Sequence, residues 1–237
     1  KNYFSWFEDG KINITQNCIE KNLSLKAKNK TAIIFISKNK LVSTVTYQEM
    51  KIAIDNFCFF LKKNKLQNVK TVLIHSSASI ECSVAMLALA KLGIHFSVVF
   101  EELEHKALKL RYNILKPEIV ISRSEDNELK KKFKFLQKKT KLIRLSNYKS
   151  RLNNVINYKI NFLDNNIFPV KYFRGDRNLF TLFTSGSTGI PKGVLHKSAG
   201  YALYSKLTSK YQFGMTKKSV VLTASDAGWI NGHTYSL

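Results

Sequence analysis

Short apolar runs alternate along the chain with longer stretches in which apolar residues recur at helical spacing. The short runs are rich in β-branched residues and predict strands, whereas the recurring pattern predicts amphipathic helices. The predicted strands are residues 31–36, 43–45, 69–74, 96–100, 119–122, 142–145, 179–183 and 220–223. The predicted helices are residues 47–61, 79–92, 103–115, 125–138 and 198–210.

Local signals support several of these boundaries. Thr46 and Glu49 have the spacing of a capping box, and Gly93 is typical of the residue that ends a helix. The remaining segments carry weaker patterns. We expect residues 1–30 to form an extended lead with one short helix. We expect residues 146–176 to form a polar connecting loop with an extended segment at residues 160–162.

The regular alternation of strands and helices decides the predicted fold class. Strands separated by helices of this length are typical of βαβ units, whose strands pair in parallel. The sequence therefore predicts an α/β fold with mostly parallel sheets.

A glycine- and hydroxyl-rich segment follows the apolar run of residues 179–183. Glycines let backbone N–H groups approach an anion closely, hydroxyls can donate to phosphate oxygens, and lysine adds a positive charge. The spacing is not that of a Walker A loop, because Gly193 rather than Ser or Thr follows the lysine. The plain alternative is a flexible surface turn, but the preceding strand and the closing lysine favour a phosphate loop. Its candidate residues are Thr184, Ser185, Gly186, Ser187, Thr188, Gly189 and Lys192.

This segment resembles the phosphate-loop signature of adenylate-forming enzymes, Thr-Ser-Gly-Ser/Thr-Thr-Gly-x-Pro-Lys-Gly, at every position. The residues after the loop, and the stretch from Asp226 to His233, resemble the acetyl-CoA synthetase branch of that family. The resemblance implies part of the large N-terminal domain of such an enzyme. Residues 1–30 would be its lead, and residues 31–237 would be a partial AMP-binding domain that lacks its C-terminal part and the small mobile domain.

The same resemblance implies an acid–thiol ligase that uses ATP, Mg²⁺ and CoA. A carboxylate would attack the α-phosphate of ATP to give an acyl-adenylate, and the thiol of CoA would then displace AMP. The phosphate loop would hold the β- and γ-phosphates, with Lys192 as the catalytic residue. The first residue is Lys rather than Met, and the family's later motifs are not found before Leu237. We therefore expect a piece of a longer enzyme that is inactive alone.

The stretch after residue 223 would border the acyl pocket and the CoA tunnel. The resemblance assigns the acyl pocket to Trp229, Ile230, Gly232 and His233, and a CoA contact to Asn231. Acetate is the expected acid, and propionate or another short-chain acid is the alternative. His196 either orders the phosphate loop or is a structural histidine. No side chain is assigned to a metal.

Two departures from the family bear on CoA. Glu101 and Glu102 replace an expected Gly-Gly, and residues 124–127 replace an expected Arg/Gly-rich turn that would meet CoA. Carboxylates beside an anionic ligand are unfavourable. The lysines at 130–132 could substitute for that turn. A non-catalytic gene remnant is therefore a further alternative.

The net charge of +23 raises the question of nucleic-acid binding. Only six of the 39 basic residues are arginine, the lysines are scattered, and no nucleic-acid-binding motif is present. We therefore attribute the lysines to a genome rich in A and T, expect small-molecule substrates, and place a nucleic-acid-binding module last. The lysine-rich run around residues 130–139 reads as the solvated face of a helix.

The cysteines and the absence of apolar spans point to one compartment. Three cysteines without a Cys-x-x-Cys pair favour reduced thiols, with Cys58 and Cys82 buried. Neither a signal peptide nor an apolar run of membrane-spanning length is present. We predict a cytoplasmic protein with no membrane contact, and nothing in the pattern indicates an oligomeric state.

Overall fold

A computed structural model describes residues 9–23, 27–184 and 189–235. Its strands and helices alternate as the sequence predicts. The strands are β1 Lys11–Ile12, β2 Thr31–Ile36, β3 Val42–Thr46, β4 Thr71–His75, β5 His95–Val99, β6 Ile119–Ser122, β7 Lys141–Leu145, β8 Val155–Tyr158, β9 Phe173–Arg174, β10 Asn178–Thr184 and β11 Lys192–Lys197. The helices are α1 Ile14–Cys18, α2 Tyr47–Lys63, α3 Ile80–Leu92, α4 His105–Leu115, α5 Asp126–Lys132, α6 Ser198–Leu207 and α7 Ile230–Tyr235. A π-helical turn, Thr208–Gln212, extends α6.

The central element is a seven-stranded sheet in the order β11-β10-β5-β4-β6-β7-β8. Its strands pair in parallel except at one edge, where β11 is antiparallel to β10. Strands β1 and β9 form one small antiparallel sheet, and β2 and β3 form another. The predicted α/β class with mostly parallel strands is confirmed.

Helices cover both faces of this sheet. Alternate strand residues face α2 and α3, such as Ile74 and Val98 in the larger core cluster. Their neighbours, such as Leu73 and Val99, face α4 and α5 in a second cluster. Burial on both faces explains why these strands read as continuous apolar runs rather than alternating ones.

The helix boundaries follow the local signals. Thr46 and Glu49 form the capping box reciprocally, with Thr46 N–H donating to Glu49 Oε2 at 2.7 Å and Glu49 N–H donating to Thr46 Oγ1 at 3.2 Å. Gly93 ends α3 in the left-handed region at φ +67°. A Cβ on Gly93 would also lie 2.5 Å from the ring of Phe173, so this position requires glycine twice over.

The chain connections reverse direction at β4. The chain passes from β4 outward to β5 and then returns across β4 to β6. In doubly wound sheets ligands bind at such a switch point, outside the carboxyl ends of the strands. Strands β4, β5, β6 and β10 have their carboxyl ends on the same side of the sheet. We call this side, which is not an edge strand, the carboxyl edge.

The predicted lysine-rich helix over residues 125–138 is wrong in length, since α5 ends at Lys132. Phe133 then packs against His75, while Phe135 packs against Tyr112 and His105. Side chains two residues apart do not share a helix face. Burying both phenylalanines in one cluster therefore requires the chain to leave the helix.

Three further differences concern strands. Residues 220–223 form no strand, and Val220 and Leu222 are exposed because no neighbouring strand among the described residues pairs with them. The extended segment expected at residues 160–162 is instead β8, a few residues earlier, which pairs with β7. Strand β11 was not predicted. β-Propensity reports fit to a half-buried sheet rather than an intrinsic preference, so short runs of this kind are easily misjudged.

The cysteines are free thiols, and Cys58 and Cys82 are buried as predicted. Burial raises the pKa of both, that of Cys82 to about 12. Both thiols are therefore protonated at neutral pH and are poor nucleophiles.

Candidate active site

Strands β10 and β11 form an antiparallel hairpin whose connection is the glycine-rich segment. Thr184 pairs with Lys192 in the register, and the Thr184 hydroxyl lies 3.5 Å from the Lys192 carbonyl oxygen. Both residues are exposed. The hairpin register therefore places an exposed threonine and an exposed lysine opposite each other at the start of the turn. Ser185, Gly186, Ser187 and Thr188 lie outside the described residues, and their role in phosphate binding stays a prediction.

The second half of this turn depends on two backbone-restricting residues. Gly189 has φ +75°, and no atom lies within 4 Å of a Cβ built on it. The requirement for glycine there comes from the backbone conformation, not from lack of space. Pro191 is buried and fixes φ just before Lys192. Together they set the direction in which Lys192 leaves the turn.

The turn lies at the carboxyl edge. Strand β10 runs parallel to β5, with Phe180 opposite Phe96, so Thr184 ends on the same side as Val99. This is the side on which ligands bind in sheets of this type. The fold therefore brings the predicted phosphate loop to the expected edge.

A second predicted segment is fastened to the same edge by Asp226. Its Oδ2 accepts the backbone N–H of Ala78 at 3.2 Å, and its Oδ1 accepts that of Gly228 at 2.8 Å. Ala78 lies three residues after the end of β4, in the connection to α3. Asp226 therefore holds the stretch that contains Trp229 against the end of β4.

A ring contact holds Trp229 at the carboxyl edge. Its indole stacks on Phe100, which follows β5, with 5.6 Å between ring centroids. Half of Trp229 is exposed, at 53%. A Cβ on Gly228 would lie 2.6 Å from the same Phe100 ring, so glycine is needed for the stack. Trp229 thus forms an apolar wall between β5 and solvent.

The remaining residues assigned to the acyl pocket and CoA separate into two environments. Ile230 and Asn231 are exposed beside Trp229, whereas Gly232 and His233 are buried. A Cβ on Gly232 would lie 2.0 Å from the backbone oxygen of Asp226, so the first turn of α7 packs directly on that segment. These assignments stay predictions.

His233 lies in an aromatic cluster rather than in open space. Its ring is 3.9 Å from Phe180 between centroids, and its Nδ1 is 3.4 Å from the carbonyl oxygen of Ala227. His196 stacks on the same phenylalanine at 4.6 Å, and Tyr201 meets it edge-on at 4.7 Å. His196 therefore has a packing role in the structure, which agrees with the structural alternative.

Burial affects the charge of these imidazoles. It lowers the pKa of His233 to about 3 and also lowers that of His196. His75, buried with its Nδ1 3.0 Å from Ser122 Oγ, has a pKa lowered to about 4, chiefly by burial and then by the charge of Lys132. These three rings are neutral at pH 7.

We expect acid to destabilise the fold through His75 and His233. Their folded-state pKa values lie below the ordinary value near 6.5, so the unfolded state binds protons first as pH falls. Stability is complete above about pH 6.5 and is lost progressively toward pH 4 and below. Between pH 7 and pH 5.5 each ring should cost about 1 kcal/mol. Urea unfolding at the two pH values measures this, and equal free energies of unfolding would contradict it.

Carboxylates occupy the middle of the carboxyl edge. Glu101 Oε1 accepts from Ser124 Oγ at 3.2 Å, and Glu102 Oε2 lies 3.4 Å from Ser77 Oγ. The pKa of Asp226 is raised, first by burial and also by the charges of Glu102 and Glu101, despite the two backbone N–H donors. The serines follow β4 and β6, so the two glutamates lie over the switch point.

The three lysines that could replace the expected Arg/Gly turn differ in their surroundings. Lys132 donates to the backbone oxygen of Glu101 and lies 3.9 Å from Glu128, with 13% of its side chain exposed. Lys130 and Lys131 are exposed. Lys132 is thus engaged within the protein.

Sequence reasoning overlooked three residues at this edge. Phe100 is the last residue of the predicted strand 96–100, and a ring at the end of a strand is well placed to support a tryptophan. Ser77 lies three residues after the predicted strand 69–74, and Ser124 lies two residues after the predicted strand 119–122. Polar residues just beyond the end of a strand were the available signal.

The described residues lack two kinds of feature. They contain no group of three or more His, Cys, Asp or Glu side chains that could hold a metal ion. They also contain no helix long and apolar enough to cross a membrane.

Comparison with known proteins adds a family match and relatives. A family model described as AMP-binding enzyme matches residues 20–237. Acetyl-coenzyme A synthetases of Helicobacter pylori strain P12 and of Methylobacillus flagellatus are each 32% identical to the chain. That of Cupriavidus metallidurans is 30% identical. Each alignment covers 98% of this chain and 38% of the relative, so the chain spans less than two-fifths of their length.

A solved structure shares the fold. The acetoacetyl-CoA synthetase from Streptomyces lividans superposes with a TM-score of 0.84 over 94% of this chain and 36% of that one. The sequences are 13% identical in that alignment, so the likeness concerns the fold.

Proposed function

We propose, because the chain belongs to the family of AMP-binding enzymes, that it is part of an acetate–CoA ligase that forms AMP. The observation that carries this proposal is the β10–β11 hairpin, which presents Thr184 and Lys192 at the carboxyl edge. The acetyl-coenzyme A synthetases among its relatives support acetate as the acid.

The reaction has two steps in this proposal. Acetate attacks the α-phosphorus of ATP, the bond to the β-phosphate breaks, and pyrophosphate leaves. The thiol of the acceptor then attacks the acetyl carbon and AMP leaves. A carboxylate is already a nucleophile, so the protein mainly positions reactants and stabilises charge.

Each residue of the hairpin has one task in the first step. Lys192 places its ammonium beside the β- and γ-phosphates and stabilises the charge that grows on pyrophosphate. Thr184 and the hydroxyls and amides of residues 185–189 hold the phosphate oxygens. Mg²⁺ carried with ATP would share that charge.

The acid binds at the same carboxyl edge, beside the end of β5. Trp229, supported by Phe100, forms the wall of the acyl pocket, with Ile230 beside it. A wall of two large apolar side chains leaves room for a short acid, and propionate is the alternative. Product analysis with acetate and propionate in competition decides between them.

We also propose that residues 1–30 form the lead and that residues 31–237 form part of the adenylation domain. The chain spans 38% of the length of those relatives. We therefore propose that these residues alone do not turn over, and that the remaining parts of the ATP site and a mobile domain complete the enzyme.

Lys192→Ala tests the role of the hairpin. In the full-length gene product we expect acetate-dependent exchange between pyrophosphate and ATP to fall roughly 100-fold, the effect of losing one preorganised charge-stabilising group. Lys197→Ala is the matched control, since Lys197 is exposed at the other end of β11. Equal exchange rates in the two variants would refute the role of Lys192.

Two alternatives of other classes have their own readouts. A non-catalytic remnant, favoured by the carboxylates at the carboxyl edge, predicts no exchange even in the unmodified protein. A nucleic-acid-binding module predicts retention on DNA that falls steeply with salt.

A further inference from the structure

The exposed apolar side chains of this chain are concentrated near one end of the sequence. Among the described residues, more than half of the large apolar side chains that are exposed lie between residues 190 and 230. Single exposed apolar residues are ordinary, whereas a contiguous group marks a contact surface. Their position relative to one another therefore decides whether they form such a surface.

Four of these residues form a stripe along α6 and the π-helical turn that extends it. Leu203, Tyr204, Leu207 and Tyr211 are exposed, and they follow one another at spacings of three and four residues. Such spacings place side chains on one side of a helix. A helix normally buries an apolar stripe of this kind against another element. The stripe has no such cover among the described residues.

Tyr235 joins this stripe to a second exposed segment. Its carbonyl oxygen accepts from Thr223 Oγ1 at 2.9 Å, and its hydroxyl donates to Thr208 Oγ1 at 3.2 Å, at the start of the π-helical turn. The Phe213 ring meets the Tyr235 ring edge-on at 5.1 Å. The segment that ends at Thr223 is therefore fastened beside α6.

That segment has the sequence of a strand but no partner strand. Val220 and Leu222 are 84% and 85% exposed, and no strand of the described residues pairs with residues 220–223. A β-branched run suits a pleated surface that is at least half buried. A strand added from another part of the protein would give this run its hydrogen bonds and bury its side chains.

The same region is basic throughout. The sequence contains no Asp or Glu from residue 177 to residue 225. Lys206 and Lys210 lie along the stripe, Lys217 and Lys218 lie just before the run, and all four are exposed. A symmetric contact with a second copy would bring these like charges together. Nucleic acid would pair with the lysines but would leave the aliphatic side chains uncovered. A protein surface with an apolar centre and an acidic rim suits both features.

We propose that the stripe and the run of residues 220–223, together called the docking face, bind the rest of the same enzyme. The chain spans 38% of the length of its relatives, so a large part of such an enzyme is available to cover this face. The docked part presents an acidic rim and adds a strand beside residues 220–223. This inference rests on the proposed function only for the existence of that part.

Hydrogen exchange of residues 219–223 tests the added strand. These amides should exchange rapidly in the 237-residue chain. In the full-length gene product they should exchange roughly 100-fold more slowly, because hydrogen bonds of a sheet protect amides from exchange. Equal exchange rates in the two proteins, or a gene product that ends at residue 237, would overturn the proposal.

Tyr204→Ala/Leu207→Ala tests the stripe. In the full-length protein this pair should remove most of the protection at residues 219–223 and lower the urea concentration at which the protein unfolds. Tyr148→Ala/Leu163→Ala is the matched control, since it removes the same exposed residue types elsewhere in the chain. Neither pair should move the urea midpoint of the 237-residue chain, in which all four side chains are exposed. Equal effects of the two pairs on the full-length protein would contradict the assignment.

Lys206→Glu/Lys210→Glu tests the acidic rim. In the full-length protein we expect the protection at residues 219–223 to fall about tenfold at low salt and less at high salt, since salt screens exposed charges. Lys138→Glu/Lys139→Glu, which changes the same charge at exposed positions elsewhere, should leave protection unchanged. Equal protection in both variants would refute an acidic partner surface.

Other occupants of the docking face would give distinct results. A dimer of the 237-residue chain that Tyr204→Ala/Leu207→Ala dissociates would assign the face to a second copy. Retention on RNA that the same variant abolishes would assign it to nucleic acid. Either result would overturn the proposal. None of these measurements requires a substrate, so a failure of acetate activation would appear in pyrophosphate exchange alone.

Discussion

Replacing Lys91 by methionine should lower the free energy of unfolding by about 3–5 kcal/mol. The Lys91 ammonium is buried, 2.5 Å from Asp55 Oδ1 and 2.6 Å from Glu20 Oε1. Burial alone lowers the pKa of Lys91, but hydrogen bonds to Asp55 and Glu20 outweigh it and raise that pKa above its ordinary value. Methionine keeps the packing of the side chain and removes the charge.

The cost arises chiefly at Asp55. This carboxylate is fully buried on α2, and without Lys91 its remaining cation is Lys51, 2.6 Å from its second oxygen. A buried charge that loses a partner keeps its desolvation cost and loses the compensating attraction. Glu20 lies in the lead, so the same substitution should also loosen the contact of the lead with α2 and α3.

Two variants sharpen this test. Lys51→Met removes the more exposed partner, whose side chain is 20% exposed, and should cost less. Lys91→Met/Asp55→Leu removes both buried charges and should recover much of the loss, because apolar replacements of a buried ion pair are often neutral or stabilising. Urea unfolding with hydrogen exchange of residues 11–22 measures both effects. A loss below about 1 kcal/mol in Lys91→Met would show that the cluster carries little stability.

This ion cluster illustrates what the sequence could not predict. Lys91 sits in an apolar helix and Asp55 on another, and no local spacing relates the two. Only the packing of α2 on α3 brings them together. By contrast, the capping box at Thr46 and the helix end at Gly93 depend on residues within one turn, and both predictions are confirmed.

The strand errors have a related cause. Residues 119–122 were predicted correctly because a strand that is buried on both faces is a continuous apolar run, which is visible in the sequence itself. Residues 220–223 have a similar β-branched pattern, yet no strand lies beside them. Strand β11 contains one glycine and two lysines, which are residue types depleted in strands. Its pairing with β10 in the hairpin makes it a strand.

Part of the candidate site could be predicted from neighbouring residues, and part depends on the fold. The phosphate loop is contiguous, so its residues could be named from the sequence, and its place at the carboxyl edge follows from βαβ topology. The carboxylates at the carboxyl edge come from distant parts of the chain, since the charges of Glu101 and Glu102 act on Asp226. That juxtaposition depends on the docking of Asp226 at Ala78, which no pattern in the sequence reveals.

Phe180→Ala should cost about 3–5 kcal/mol, the range for truncating a buried aromatic residue. Phe180 is fully buried in the middle of β10 and contacts Phe96, His196, Tyr201 and His233 through its ring. These partners belong to β5, β11, α6 and α7. The ring therefore joins β5 to β11, α6 and α7.

The matched control is Phe59→Ala, since among the described residues Phe59 makes one ring contact, with Phe168 at 5.2 Å. Its loss should be smaller because fewer neighbours lose contacts. Phe180→Leu should fall between native and alanine, since leucine refills part of the cavity. Thermal and urea unfolding rank the variants. If Phe180→Ala costs no more than Phe59→Ala, the cluster does not tie α6 and α7 to the sheet. The position of Thr184, four residues along β10, would then depend on the hairpin pairing alone.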